Sequence, residues 1–295
     1  MPEWRDLLDP GRDELLSALP VRVDPDELEA MLAEPLERPR PRLEGHADYV
    51  FGVLVAMAPG QEGGTLENRE IDFVATTERL VTVRKTPAHG TPWQPECLVA
   101  VADAPVGELV FRLVDDVAQS YLEVVDDADA AIDELEEHID EWPSVRVRRR
   151  ISTLRHELIL ARRTVGATRA KVRRITDKRL DIAGETLFPE DVERLFADTY
   201  ETLFRAGEEL DVSRELLSSS RDYHQALIAE NQNEVGKKLT VIASLVLVPS
   251  FVVGFYGQNF ASEFDRGFWN LGMSTGLILV STVIQLAIFR WRRWI

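Results

Sequence analysis

The sequence predicts an α+β membrane protein: a cytoplasmic α/β domain, a helical hairpin, and a long stalk helix continuing into a two-helix transmembrane hairpin. Three observations lead there. Two uncharged runs close the chain, eighteen residues from Leu239 to Tyr256 and twenty-two from Phe268 to Phe289, each long enough to cross a bilayer as a helix. Upstream of them, from about Pro189, no proline or glycine pair interrupts an apolar ladder of helical spacing. Between Asp48 and Asp103 the composition turns β-branched and aromatic, as strands require.

The soluble part is acidic. The chain carries 51 Asp and Glu against 34 Lys and Arg, a net charge of −17, which makes nucleic acid a poor partner. Such charge keeps a large domain in solution, and near a pore it would also concentrate cations. Cys97 is the sole cysteine, so neither a disulfide framework nor a thiolate metal site is expected. The N-terminus, MPEWRDLLDPGRDELL, has no apolar core; membrane targeting is expected from the C-terminal hairpin.

Taken in order, residues 1–106 read as the α/β domain. Two short amphipathic helical patterns, near Asp6–Leu19 and Pro25–Glu37, precede an extended PLERPRPR connector. Strands are expected at Tyr49–Met57, at Ile71–Lys85 with a turn near Thr76–Thr77–Glu78, and at Cys97–Asp103. No glycine-rich phosphate loop follows any of them, APGQEGG reading as a turn.

Residues 107–185 read as two helices of opposite charge. Twelve Asp or Glu lie between Asp115 and Glu141, thirteen Lys or Arg between Arg146 and Arg179, and Trp142–Pro143–Ser144 breaks the pattern between them. An antiparallel hairpin with complementary arms suits that layout better than a nucleic-acid face, each ion pair contributing little alone. Residues 186–238 read as the stalk. A helix starting near Pro189, with acids in its first turn, carries the ladder Val192, Leu195, Phe196, Leu203, Leu210, Leu217 and Leu227. Running unbroken to Tyr256, it would span 68 residues, about 100 Å at 1.5 Å per residue.

Residues 239–295 form the membrane hairpin, with spans about 239–256 and 268–289. Lys237 and Lys238 precede the first, and Arg290, Arg292 and Arg293 follow the second; the short loop between them holds Glu263 and Asp265 against Arg266. The bias of basic residues places both termini in the cytoplasm of a cell (inner or plasma) membrane. Trp269, Trp291 and Trp294 suit the interfaces.

The first span is not a plain anchor. Gly236, Thr240, Ser244, Leu247, Ser250 and Gly254 fall roughly on one stripe, which suits a close neighbour or a water-filled path rather than lipid. Pro249 permits a bend. Two spans cannot enclose a path, so conduction requires a ring of subunits. At its outer mouth each chain would offer the Gly257 carbonyl and the Asn259 amide, neutral hard oxygens suited to a still-hydrated Mg2+. Glu263 and Asp265 would gather cations outside. An inside-negative potential supplies about 2.3 kcal/mol per charge per 100 mV, about twice that for a divalent ion.

At these residues the sequence resembles a known family. Tyr256-Gly257-Gln258-Asn259-Phe260 is similar to the YGMNF signature of the CorA family of magnesium transport proteins. ENQNEVGKKLTVIASLVLVP resembles that family's entry into its first membrane helix, LFADTYETLFRAGEEL its stalk, and RWRRWI its basic tail. The resemblance is strong over residues 186–295, extends in layout from 108, and covers 1–106 only as an α/β domain. It implies a funnel-shaped homopentamer with a central pore of first membrane helices, closed when cytosolic Mg2+ occupies sites between subunits. It further implies Gly257, Gln258 and Asn259 as the ion filter, flanked by Tyr256 and Phe260. Asn233, Gly236, Leu239, Thr240, Leu247, Ser250 and Gly254 would line the pore, with Leu239 or Leu247 as constrictions. Asp198 falls where the family's stalk carries an Mg2+-sensing carboxylate.

Gln258 departs from the family pattern, standing where methionine is usual. Its amide either joins the mouth and shifts selectivity or points away. Two alternatives therefore stay open: a transporter of the same fold for Zn2+, Co2+ or Ni2+, and a non-conducting, membrane-anchored coiled-coil sensor or scaffold. His46, His89, His138, His156 and His224 show no metal-ligand spacing along the chain and read as surface or packing residues. No nucleophile–base arrangement supports an enzyme, and no organic cofactor is expected.

Overall fold

The computed structural model describes residues 3–36, 39–58, 66–88, 90–180, 182, 186–257 and 267–294. The chain divides into two compact units, residues 1–221 and 222–295.

The first unit opens with β1 (Glu3–Leu8), α1 (Arg12–Ala18) and α2 (Pro25–Leu32), followed by β2 (Arg42–Gly45), β3 (Val50–Ala58), β4 (Glu67–Ala75) and β5 (Arg79–Arg84). The five strands form one sheet in the order β1-β5-β4-β3-β2. β1 runs parallel to β5, and the other neighbours are antiparallel. Every residue of β3 is buried, because helices cover both faces of the sheet. That is why its sequence, VFGVLVAMA, is a continuous apolar run rather than an alternation. On one face Phe51, Val53, Val74 and Val83 meet Leu15, Leu28 and Met31 of α1 and α2. On the other, Leu54, Ala56, Ile71 and Phe73 join the main core. Gly52 is required where β3 meets β4, since a Cβ there would lie 2.2 Å from the Phe73 ring.

Three sequence expectations change. Glu3–Leu8 is an edge strand, and the expected helix over Asp6–Leu19 begins only after Asp9-Pro10-Gly11. Leu7 and Leu8 belong to the strand register with β5, and the Pro–Gly pair marks the change. The extended connector ends in β2, four residues paired with β3. Cys97–Asp103 is no strand: Glu96–Val99 form α3, with turns through Asp103. Short apolar runs are ambiguous between strand and buried helix, and here Pro95 at the N-cap and the fully buried Leu98 settle it.

α4 (Val106–His138) covers the main-core face of the sheet. The Tyr121 hydroxyl donates to the Val55 carbonyl at 2.7 Å, and Ser120 Oγ accepts the Met57 amide at 3.1 Å. The first half of α4 is thus a layer of the α/β domain as well as an arm of the hairpin. Trp142 and Pro143 end that arm, and α5 (Ser144–Thr176) returns beside it. An ion pair joins Arg150 to Glu134 at 3.6 Å, yet the contact is mainly apolar, through Ile132, Leu135, Val147, Ile151, Leu154 and Leu158. The expected charge complementarity is realised in a different place. α6 (Glu190–Gly257) is a helix of 68 residues, and its part within the first unit takes partners from both arms. Thr199, Ser213 and Ser220 donate to Asp115, Asp129 and Glu136 of α4 at 3.0, 2.6 and 2.6 Å. Arg162 of α5 holds Asp211 with two hydrogen bonds of 2.9 Å.

The constant offset of 84 residues in the three hydroxyl–carboxylate bonds means that α4 and α6 run parallel in fixed register. Phe196, Leu203, Leu210 and Leu217 recur every seven residues, with Thr199, Ala206, Ser213 and Ser220 between them, all buried. This is a heptad seam whose small positions let the helices approach.

One buried charge cluster sits in the sheet. Lys85 Nζ lies 2.9 Å from Asp72, contacts Glu70, and donates to the Ala30 carbonyl at 2.8 Å. One cation between two buried carboxylates leaves one acid short of a counter-charge. Burial pushes the Asp72 carboxyl up to about 7, Lys85 opposing and Glu70 adding to the shift. A carboxyl whose folded pKa exceeds its unfolded value of about 4 binds its proton more tightly in the folded state. Its contribution is full below about pH 4 and is lost as pH climbs through about 7. Thermal unfolding at about pH 5 and pH 8 is expected to show a smaller loss for Asp72→Asn than for the unmodified chain; equal losses would exclude Asp72 as the source.

Candidate functional site: the small-residue face of the first membrane helix

The second unit consists, among the described residues, of the end of α6 and α7 (Gly267–Trp291). Both are long and apolar enough to cross a membrane. α6 continues through Pro249 without interruption, although that residue offers no amide to the Leu245 carbonyl.

Each helix has one occluded face. On α6 Val241 and Val252 are buried and Leu245 and Val248 half-buried; on α7 Ser274, Ile278, Ser281, Thr282, Gln285 and Phe289 are half-buried. Both sets recur at i, i+4, i+7 and i+11, the spacing of a packed helical seam.

The stripe lies elsewhere. At 100° per residue Gly236, Thr240, Leu247, Ser250 and Gly254 point within about 40° of one direction, and the occluded face points about 150° away. Asn233, Gly236, Thr240, Leu247, Ser250 and Gly254 are all exposed within this chain, Leu247 at 71%. Leu239 is exposed on the flank of the stripe, and Ser244 is half-buried at its other edge. A Cβ added to Gly236 or Gly254 would meet nothing within 4 Å. The hydroxyls are satisfied within the helix: Thr240 donates to Gly236 at 2.9 Å, Ser244 to Val241 at 3.1 Å and Ser250 to Val246 at 2.8 Å. Their protons are occupied while their oxygens remain free to accept, so the face adds acceptors to a low-polarity environment at little desolvation cost.

Gly257 is the last helical residue of α6. Gln258, Asn259, Phe260, Glu263 and Asp265 lie outside the described residues, as does the side chain of Tyr256. At the far end of α7 Trp294 stacks on Phe289 at 5.9 Å and Arg292 sits over Trp291. Asp198 is exposed on α6 in the first unit, one residue before the buried Thr199 of the seam. Of the histidines, His138 stacks on Trp142 and His89 lies outside the described residues. His46 is within 2.7 Å of Glu27, a proximity invisible in the linear spacing.

The family model described as CorA-like Mg2+ transporter protein matches residues 3–293. The chain belongs to that family. Curated relatives include the cobalt/magnesium transport protein CorA of Thermotoga maritima, 23% identical over 263 residues, covering 87% of this chain and 73% of the relative. The protein of the same name from Methanocaldococcus jannaschii is 23% identical over 313 residues, covering 99% of this chain and 91% of the relative. Among solved structures, the complete CorA magnesium transporter of Methanocaldococcus jannaschii superposes with a TM-score of 0.80 at 22% identity, covering 99% of this chain and 91% of that one. Full-length CmaX gives 0.73 at 20% identity, covering 100% and 90%. The chain therefore has the CorA fold: an N-terminal α/β domain with a mixed sheet, a long stalk helix and a C-terminal helix. It is a membrane protein with two C-terminal spans, and it belongs to a divalent-cation transport family rather than to an enzyme family.

Proposed function

We propose that this chain assembles as a homopentamer and conducts Mg2+ across the membrane along a path walled by its first membrane helices. The observation that carries this reading is the direction of the stripe. A small, acceptor-bearing face turned away from the chain's own hairpin partner suits copies of itself around a shared axis better than lipid. Asn233, Gly236, Leu239, Thr240, Leu247, Ser250 and Gly254 would line the path. The Gly257 carbonyl with Gln258 and Asn259, flanked by Tyr256 and Phe260, would form the filter below the acidic Glu263 and Asp265. The chain would divide its work among an α/β domain (1–106), a hairpin (107–185), a stalk (186–238) and the membrane unit (239–295). Both termini would be cytoplasmic, following the basic residues that bracket the spans. The membrane potential would drive entry without nucleotide hydrolysis.

Cobalt and magnesium in the names of two relatives support a divalent cargo. Gln258 favours a second cargo reading within the same fold, because an added amide at the mouth changes the donor set from which ions are chosen. Purified protein in liposomes under an inside-negative potential is expected to take up Mg2+, and Asn259→Ala is expected to reduce uptake at least about tenfold, by removing the filter amide, while the oligomer stays intact. Uptake of Zn2+, Co2+ or Ni2+ in preference to Mg2+ would replace the cargo; no flux of any ion would leave only an anchored scaffold.

Closure by cytosolic Mg2+ would use Asp198, an exposed stalk carboxylate beside the α4–α6 seam, as a ligand shared with a neighbouring subunit. Mg2+ is expected to slow proteolysis of the oligomer, and Asp198→Asn to remove much of that protection. Unchanged protection would take Asp198 out of the sensing site.

A further inference from the structure

A cluster of side chains in the first unit, remote in sequence from the stalk and the spans, is arranged as ligands. Glu27 lies in the first turn of α2 and is 4% exposed. Glu44 lies on β2 and His46 just beyond it, two residues apart and so on the same side of the extended chain. The candidate ligand atoms of Glu27, Glu44 and His46 all fall within 4.8 Å of one another.

The surroundings orient this trio. Tyr49 Oη accepts the Asp24 backbone amide at 3.0 Å, so its own proton is directed to Glu27, 2.8 Å away. One oxygen of Glu27 is thereby fixed, and the other faces His46 Nε2 at 2.7 Å. The His46 ring stacks on Tyr49 with centroids 4.4 Å apart and planes 15° from parallel. The His46 amide donates to the Tyr49 carbonyl at 2.8 Å, closing the β2–β3 turn. A carboxylate held by an outer hydrogen bond beside a ring of fixed orientation is the usual support of a metal ligand. Glu44, which accepts from Arg42 at 3.1 Å, is the half-buried and more adjustable third member.

We propose that Glu27, Glu44 and His46 bind one transition-metal dication of the Zn2+, Co2+ or Ni2+ class, with water completing its shell. An imidazole nitrogen with two carboxylates suits these borderline ions, whereas Mg2+ prefers oxygen throughout and gives up water reluctantly. Ligand bonds of about 2.0–2.2 Å place the ion between His46 and Glu27, replacing their direct contact. Glu44 closes on it by rotation of its half-buried side chain. The bound ion ties α2 to the edge of the sheet and distinguishes transition metals from Mg2+ independently of the filter. The inference does not rest on conduction, and its failure leaves the transport reading untouched.

Metal-free, full-length protein in detergent is titrated with Co2+ in excess Mg2+, and bound Co2+ per chain is counted through its visible absorption. Wild-type protein is expected to bind one more Co2+ per chain than either His46→Gln or Glu44→Gln, with affinity at that site reduced at least about tenfold in each variant. Zn2+ is expected to raise the unfolding temperature of the wild type more than that of the variants, as a ligand specific to the folded state does. Glu44→Gln keeps the size of a half-buried side chain, so its unfolding temperature without metal serves as the control for folding. Equal Co2+ counts in all three proteins, or displacement of the additional ion by Mg2+, would overturn the proposal.

Discussion

A membrane hairpin of two helices has one face on each helix for its partner, and every other face must be matched by something outside the chain. On α6 the matched face is apolar and β-branched or leucine-rich, at Val241, Leu245, Val248 and Val252. The unmatched face carries the glycines and most of the hydroxyls. In water this arrangement would be ordinary, apolar face inward and hydroxyls outward; in hydrocarbon, apolar side chains gain little by hiding, and small residues are useful chiefly where backbones must come close. The composition of α6 therefore fixes which of its sides looks for company. The proposed ring follows from that constraint together with the inability of two spans to surround water.

The stalk obeys a related constraint in solution. Its heptad seam with α4 combines large residues at one position with Thr, Ala, Ser and Ser at the other. Hydroxyl–carboxylate bonds at a constant offset pin the register. A seam of leucine alone would tolerate a slip of one heptad, whereas these polar contacts discriminate against it, as isolated polar positions do in coiled coils. The carboxylates of α4 thus do more than solubilise: three of them specify where α6 sits.

Much of this was legible in the residues. The apolar ladder at Phe196, Leu203, Leu210 and Leu217 gave the stalk, and its proposed 68-residue run agrees in length with α6. Trp142–Pro143 gave the hairpin turn. β3 to β5 followed from β-branched runs punctuated by Gly and Pro. What escaped was whatever depends on distant partners. EWRDLL is polar enough to pass for the start of a helix, and only its parallel pairing with β5 makes it a strand. The acidic arm faces α6 hydroxyls as well as the basic arm, which no charge count could reveal. Of the site, the stripe was readable from helical spacing alone. The trio around His46 was not, because Glu27 and His46 are nineteen residues apart and meet only through the packing of α2 on the sheet.

In the proposed ring Gly254 and Ser250 face other copies of this chain. Cys97 can be replaced by serine to leave no other thiol, so single cysteines introduced at chosen positions report their own neighbours. In native-like bilayers, Gly254→Cys and Ser250→Cys are predicted to cross-link chain to chain and to react with water-soluble thiol reagents. Val253→Cys, roughly 100° around the helix, should do neither. Cross-linking at 253, with 250 and 254 reached only by reagents dissolved in lipid, would exclude a ring walled by this stripe.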